Sequence, residues 1–215
     1  MLRKRRFFNI GDTNVPFSVQ YCSKPLNYCI AKELNGYEKV HSRVGYEPSD
    51  RSFNTHTIND NVLPHNPMIN AGAMMIAHLI ELDEEPANCF EKVREYYSRM
   101  TGNIGEIGYN NGVYLSEKHH ADRNISLSYF MRECGAFGEI SPSHDDIQQS
   151  LDLYFQCCSM TINTQIGSVM AATLANGGVC PVTGEEVFST ITIRDCLRLM
   201  FFCGMYDFQD NLLFR

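Results

Sequence analysis

In the stretch Pro16 to Ala31, PFSVQYCSKPLNYCIA, a lysine stands where a helix should begin. The positive end of a helix dipole disfavours an ammonium near the N-terminus, so the Lys24 amine is expected to be a better base than one on a surface. A lysine base of this kind serves a hydroxyl three positions earlier, because residues i and i+3 share one helix face. The residue three before Lys24 is Tyr21. Ser23 points roughly 100° around the helix from Lys24 and Cys22 lies nearly opposite. Neither replaces the missing aliphatic hydroxyl without a shift of register.

Other polar residues fall in places where chemistry and packing compete as explanations. Asn70 sits in the apolar run of HNPMINAGA, where a hydrogen-bonded core group is the ordinary reading. Tyr154 lies on a helical apolar stripe, and Glu117 is followed by Lys118, which reads as a solvated surface pair. Asn124 follows Glu117 by seven residues. His119 and His120 are adjacent, so on a helix they diverge, and a surface role is expected rather than a metal.

These residues need elements to hold them. The helix carrying Lys24 keeps Leu26, Cys29, Ile30 and Leu34 on one side and is expected to stop at Asn35-Gly36. Pro25 is tolerated because the first turn has no internal acceptors for its N–H groups. Gly45 to Pro64 is polar and reads as a long surface loop, which is uncommon unless functional. It leads to a buried helix with Asn66 as N-cap and Pro67 first, and with Gly72 marking a close backbone approach. Phe90, Val93, Tyr97 and Met100 form the stripe of a helix ending at Gly102, followed by a loop to Gly112. Asp122 or Asn124 is expected to cap the next helix, and Ser143 with Asp146 forms a capping box for Ile147 to Cys158. Two more helices span Ile166 to Leu174 and Ile193 to Cys203. Only Arg6 to Ile10 and Glu186 to Ser189 read as strands.

Composition narrows the classes. The chain has 215 residues and a formal charge of −7, with a sequence pI near 5.5. That balance argues against a nucleic-acid binder, since phosphate contacts need a basic face. No apolar run approaches the roughly 18 residues of a spanning helix, so no membrane association is expected. Nine cysteines, an odd number without a C-x-x-C pair, read as small core hydrophobes in a reducing compartment. One domain over residues 1–215 is expected.

With these pieces in place, the chain resembles the serine-dependent glutaminase family of the serine β-lactamase and penicillin-binding superfamily. The resemblance runs from about Gly11 to Phe208, through GDTNVPF, SKPLNY, HNPMINAGA, SEKHHADRN, LDLYFQCCS, SVMAATLANGG, CPVTGEEV and CGMYDF in the family's order. It implies an α+β, mainly helical, serine β-lactamase/transpeptidase-like fold, here a partial domain with much of the sheet missing and truncated at both ends. It also implies hydrolysis of L-glutamine to glutamate and ammonia through a glutamyl-enzyme ester, without metal or organic cofactor. Lys24 then matches the general base and Tyr206 a proton relay. Asn70, Glu117, Asn124 and Tyr154 match substrate contacts, and Tyr21 stands at the nucleophile position in place of serine.

That set suits a zwitterion: an α-ammonium needs a carboxylate and amide oxygens, an α-carboxylate needs amide and phenol donors. A phenolate with a pKa of about 10 leaves a tetrahedral intermediate more readily than an amine, so attack by Tyr21 should revert to the amide. Very slow hydrolysis is therefore expected. The family also implies a homo-oligomer or association with an intact glutaminase, and an intracellular location, mitochondrial or cytoplasmic, with no transit peptide visible. The rival expectation is a non-catalytic glutamine-binding subunit.

Overall fold

The computed structural model describes residues 8–49, 55–81, 85–139 and 141–203. The element order is β1 (Phe17–Ser18), a 3-10 turn (Gln20–Cys22), α1 (Ser23–His41), α2 (Asn70–Glu81), α3 (Pro86–Thr101), β2 (Gly108–Tyr109), α4 (Asn111–His119), α5 (Asp122–Glu133), α6 (His144–Ser159), β3 (Met160–Ile162), α7 (Thr164–Ala175) and α8 (Thr190–Cys203). The architecture is mainly helical α+β, as the sequence implies.

α2 is apolar on every side because it is enclosed: it packs against α1 and α6, with α5 and α3 completing the cage. Met74, Met75, Ile76, Ala77, Leu79 and Ile80 are all buried. Gly72 is where the chain has no room, since a Cβ there would stand 1.9 Å from the Asn66 carbonyl oxygen. The Asn66 side chain accepts from the Met68 and Ile69 N–H groups, closing a turn, and the helix proper begins only at Asn70. Pro67 is thus part of that turn and not the first helical residue. The consequence is positional: Asn70 opens α2 and lies buried inside the molecule.

The sheet is small and antiparallel, in the order β1-β3-β2, with Phe17 opposite Ile162 and Tyr109 opposite Met160. It matters because of what it ties together. β3 follows α6 without a linker, and the Val19 N–H donates to the Met160 carbonyl at 2.8 Å, so the segment leading into α1 is fastened to the end of α6.

Several expectations need correction. Pro16 to Ala31 does not enter its helix directly: β1 and the 3-10 turn precede α1. Gly36 does break the helix, with φ 78° and ψ 167°, but a further turn runs on to His41. Residues 8–10 form no strand, and Arg6 and Phe7 lie outside the described residues. Glu186 makes an isolated bridge with Val179 instead of opening a strand. The expected loop from Gly102 to Gly112 carries β2 and the start of α4, whose cap is the Asn110 side chain accepting from the Val113 N–H. Neither Asp122 nor Asn124 caps α5, because Ala121 holds the N-cap position. The capping box of Ser143 with Asp146 is present on α6.

Candidate functional site

Lys24 lies in the first turn of α1 and is only 3% exposed. Its Nζ donates to the Met68 carbonyl oxygen and to Asn70 Oδ1, each at 2.9 Å. Both partners come from the turn-and-helix start that Gly72 makes possible. Among the described residues no carboxylate pairs with this amine, so burial is uncompensated and pushes its pKa down to about 7, with Cys158 acting weakly in the other direction. The amine is poised between base and ammonium near neutral pH.

Asn70 is the junction of the site. Its Nδ2 donates to Asn124 Oδ1 at 3.2 Å, and its Oδ1 accepts from the Lys24 amine and, at 3.5 Å, from the Tyr154 hydroxyl. Residues from α1, α2, α5 and α6 therefore meet in one hydrogen-bonded chain. Glu117 on α4 enters from the side through a 3.1 Å bond that its Oε1 accepts from Gln20 Nε2. Lys118 turns away to pair with Asp152 across the surface, so Glu117 and Lys118 are not the surface pair that adjacency suggested.

Tyr21 occupies the 3-10 turn and is 45% exposed. Its ring covers the amine, with Lys24 Nζ 4.1 Å from the ring centroid. Its hydroxyl is hydrogen-bonded with the Asn70 side chain, while partial burial, Cys158 and Glu117 raise its pKa. Ser23 makes no hydrogen bond to the amine among the described residues: its Oγ donates to the Gln20 carbonyl at 2.7 Å and its side chain also meets Cys158. Tyr206 lies outside the described residues.

Three contributors were not picked out from the sequence. Gln20, with φ at +48°, holds Glu117 and turns the chain so that Tyr21 faces the amine. Cys158 is buried one turn past Tyr154, and burial raises its thiol to about 12, so it is a protonated filler rather than a nucleophile. The Met68 carbonyl contributes only its backbone. No side-chain pattern announces a backbone acceptor, although the i, i+4 spacing of Tyr154 and Cys158 does place them on one face.

The family model described as Glutaminase matches residues 2–215. This chain belongs to the glutaminase family. It is 44% identical to the mitochondrial liver-isoform glutaminase of Rattus norvegicus over 207 residues, 96% of this chain and 34% of the rat protein. It is 45% identical to putative glutaminase 2 of Caenorhabditis elegans, again over 96% of this chain and 34% of that protein. The crystal structure of the probable glutaminase of Bacillus subtilis superposes with a TM-score of 0.84 at 28% identity, covering 94% of this chain and 62% of that one. The chain thus spans about a third of the length of these animal relatives. Among its described residues no helix is long and apolar enough to cross a membrane, and no group of three or more His, Cys, Asp or Glu is arranged to hold a metal.

Proposed function

We propose that this chain binds L-glutamine at the site around Lys24 and Asn70 and acts, slowly, as an amidohydrolase that releases glutamate and ammonia. The observation that supports this most directly is the hydrogen-bonded chain Lys24–Asn70–Asn124, in which a desolvated amine and two side-chain amides share one buried line. Glu117 supplies the acceptor for the substrate ammonium, Asn124 and Tyr154 the polar contacts to its carboxylate end, and Tyr206 a relay for the leaving amine's proton. Lys24, half neutral near pH 7, is the base. What limits the rate is Tyr21, whose ring occupies the position from which a small hydroxyl would attack.

A glutamine titration followed by calorimetry, with ammonia measured in the same samples, tests this reading. Binding that disappears in Asn124→Ala, with ammonia release far below that of a serine-containing glutaminase, is expected. Absence of binding by the native chain overturns it.

The position of Tyr21 also favours a second reading, a non-catalytic glutamine-binding partner of an intact glutaminase in a homo-oligomeric or mixed assembly. Exposed Ile191, Leu197 and Phe201 on α8 give such an assembly apolar side chains to cover. In that case glutamine binds without any ammonia above background, and the chain sediments as a multimer. Nine free thiols fit a reducing intracellular compartment, cytoplasmic or mitochondrial, and one domain over residues 1–215 is the proposed organisation.

A further inference from the structure

Beside Lys24 lies an open cavity of about 690 Å³ whose walls include Phe17, Leu26, Met68, Met170, Leu174 and Met200. Such a space is far more apolar than a zwitterionic amide requires. We propose that Lys24 is also a carbonyl-reactive amine, and that apolar aldehydes entering this cavity form an imine on its Nζ.

The geometry around the nitrogen supports this. A neutral amine has two N–H groups, and both have acceptors here, the Met68 carbonyl and Asn70 Oδ1. The lone pair is then left for the side that Tyr21 covers. In the ammonium form the Tyr21 ring is held over the charge by cation–π attraction, and deprotonation removes that attraction from a ring already half in solvent. The neutral amine thus loosens its own cover to the hydroxyl contact with Asn70. Among the described residues, the titratable groups that face this centre and its cavity are Tyr21 and Cys22 from the 3-10 turn, Tyr154 and Cys158 from α6, and Glu117 from α4, which borders Tyr21 and Cys158. Burial keeps Tyr154 and Cys158 protonated, so neither supplies a fixed negative charge to hold the ammonium.

The chemistry balances without a further reactant. The Nζ lone pair adds to the carbonyl carbon, and one N–H proton moves to the oxygen to give a carbinolamine. Loss of that hydroxyl with the second N–H proton releases water and leaves the C=N bond. Desolvated lysines in apolar surroundings are suited to this step because a useful fraction is neutral near pH 7. Other lysines are placed differently: Lys32 is paired with Asp195, Lys118 is held protonated by Asp152, and Lys39 is exposed.

The inference needs only the amine and the cavity, so it stands or falls apart from the glutamine reading. The test treats the full chain with hexanal and cyanoborohydride at pH 7 and maps the reduced adducts by peptide mass spectrometry. A dominant adduct on Lys24 is expected, formed at least about tenfold faster than on Lys39. At pH 7 an amine with a pKa of about 7 is about 10³-fold richer in its neutral form than a model-peptide lysine, less what lower basicity takes from nucleophilicity. Tyr21→Ala should raise the Lys24 rate further, and Lys24→Arg should leave only the slow surface adducts. Glyceraldehyde, a polar aldehyde, should label Lys24 no faster than Lys39. Adducts spread over Lys39 and Lys118 with Lys24 unmodified would overturn the proposal. Equal Lys24 labelling by both aldehydes would overturn the role given to the cavity.

Discussion

The pH dependence of stability should carry the mark of Lys24. Its folded pKa of about 7 lies below the ordinary 10.5, so between those values the unfolded chain binds the extra proton and stability rises with pH. The penalty for burying the ammonium is full below pH 7 and fades above it. Between pH 7 and 9 this one group should add on the order of 2 kcal/mol. Buried Cys158 and Cys203, raised to about 12 and 11, begin to pull the other way once unfolded thiols ionise near 9. Denaturant melts of the native chain and Lys24→Met across that interval should therefore differ in slope, the substituted chain being flatter. Tyr21 gives the second prediction at this scale. Tyr21→Phe should leave the proposed slow ammonia release unchanged, whereas Tyr21→Ser should raise ammonia release at least about tenfold, of the order expected when a positioned nucleophile is restored beside its base. An assay of glutamine-dependent ammonia release checks both. Lys24 and the odd residue at Tyr21 were legible in the sequence because each breaks a local expectation. Gln20 and the Met68 carbonyl were not, since a backbone φ and a backbone acceptor leave no trace in residue type.

Seven of the eight helices among the described residues were legible because an apolar stripe and a terminator work locally, whereas α4 was not, since none of its residues is buried. α3 ends at Gly102 in the left-handed conformation with φ 61°, and α7 is closed by Gly177 and Gly178 as the composition implied. The strands were not legible, because two or three residues show no alternation and acquire their identity only by pairing with segments far along the chain. Residues 8–10 illustrate the reverse error: Phe8 and Ile10 alternate, yet they are exposed and unpaired among the described residues. Two glycines at this scale should respond differently to alanine. At Gly36 a Cβ meets open space, so Gly36→Ala should cost only the strain of a positive φ with an extended ψ, about 1–3 kcal/mol. At Gly72 it meets the Asn66 carbonyl, so Gly72→Ala must displace the turn that carries Met68 and should destabilise more strongly while disturbing Lys24. Thermal melts rank the two. A shift in the pH profile of Lys24 labelling in Gly72→Ala alone would locate the disturbance.

Across the described residues, the buried cluster joins seven of the eight helices, with α4 only packing Tyr114 against it, and its cysteines behave as the small hydrophobes the sequence suggested, with Cys29, Cys89, Cys157, Cys158, Cys180, Cys196 and Cys203 buried. The candidate site is at the seam where α1, α2, α5 and α6 meet, and no single helix contains it. That explains why family motifs pointed to its residues when periodicity could not: hydrophobic spacing reports which face of a helix is inside, and nothing about which polar groups meet there. The fastening of β1 to β3 joins residues 17–18 to residues 161–162, a closure across most of the described chain. Contacts so distant in sequence carry a high loop-closure cost and form late. On refolding from denaturant, circular dichroism at helical wavelengths should recover before Lys24 changes from the reactivity of an ordinary aqueous lysine to that of the buried amine. A pulse of amine-modifying reagent at successive delays would show the lysine switching behaviour only in the slowest phase. Chemistry at this amine is thus a late product of the folding reaction, which makes its reactivity a clock for completion of the native state.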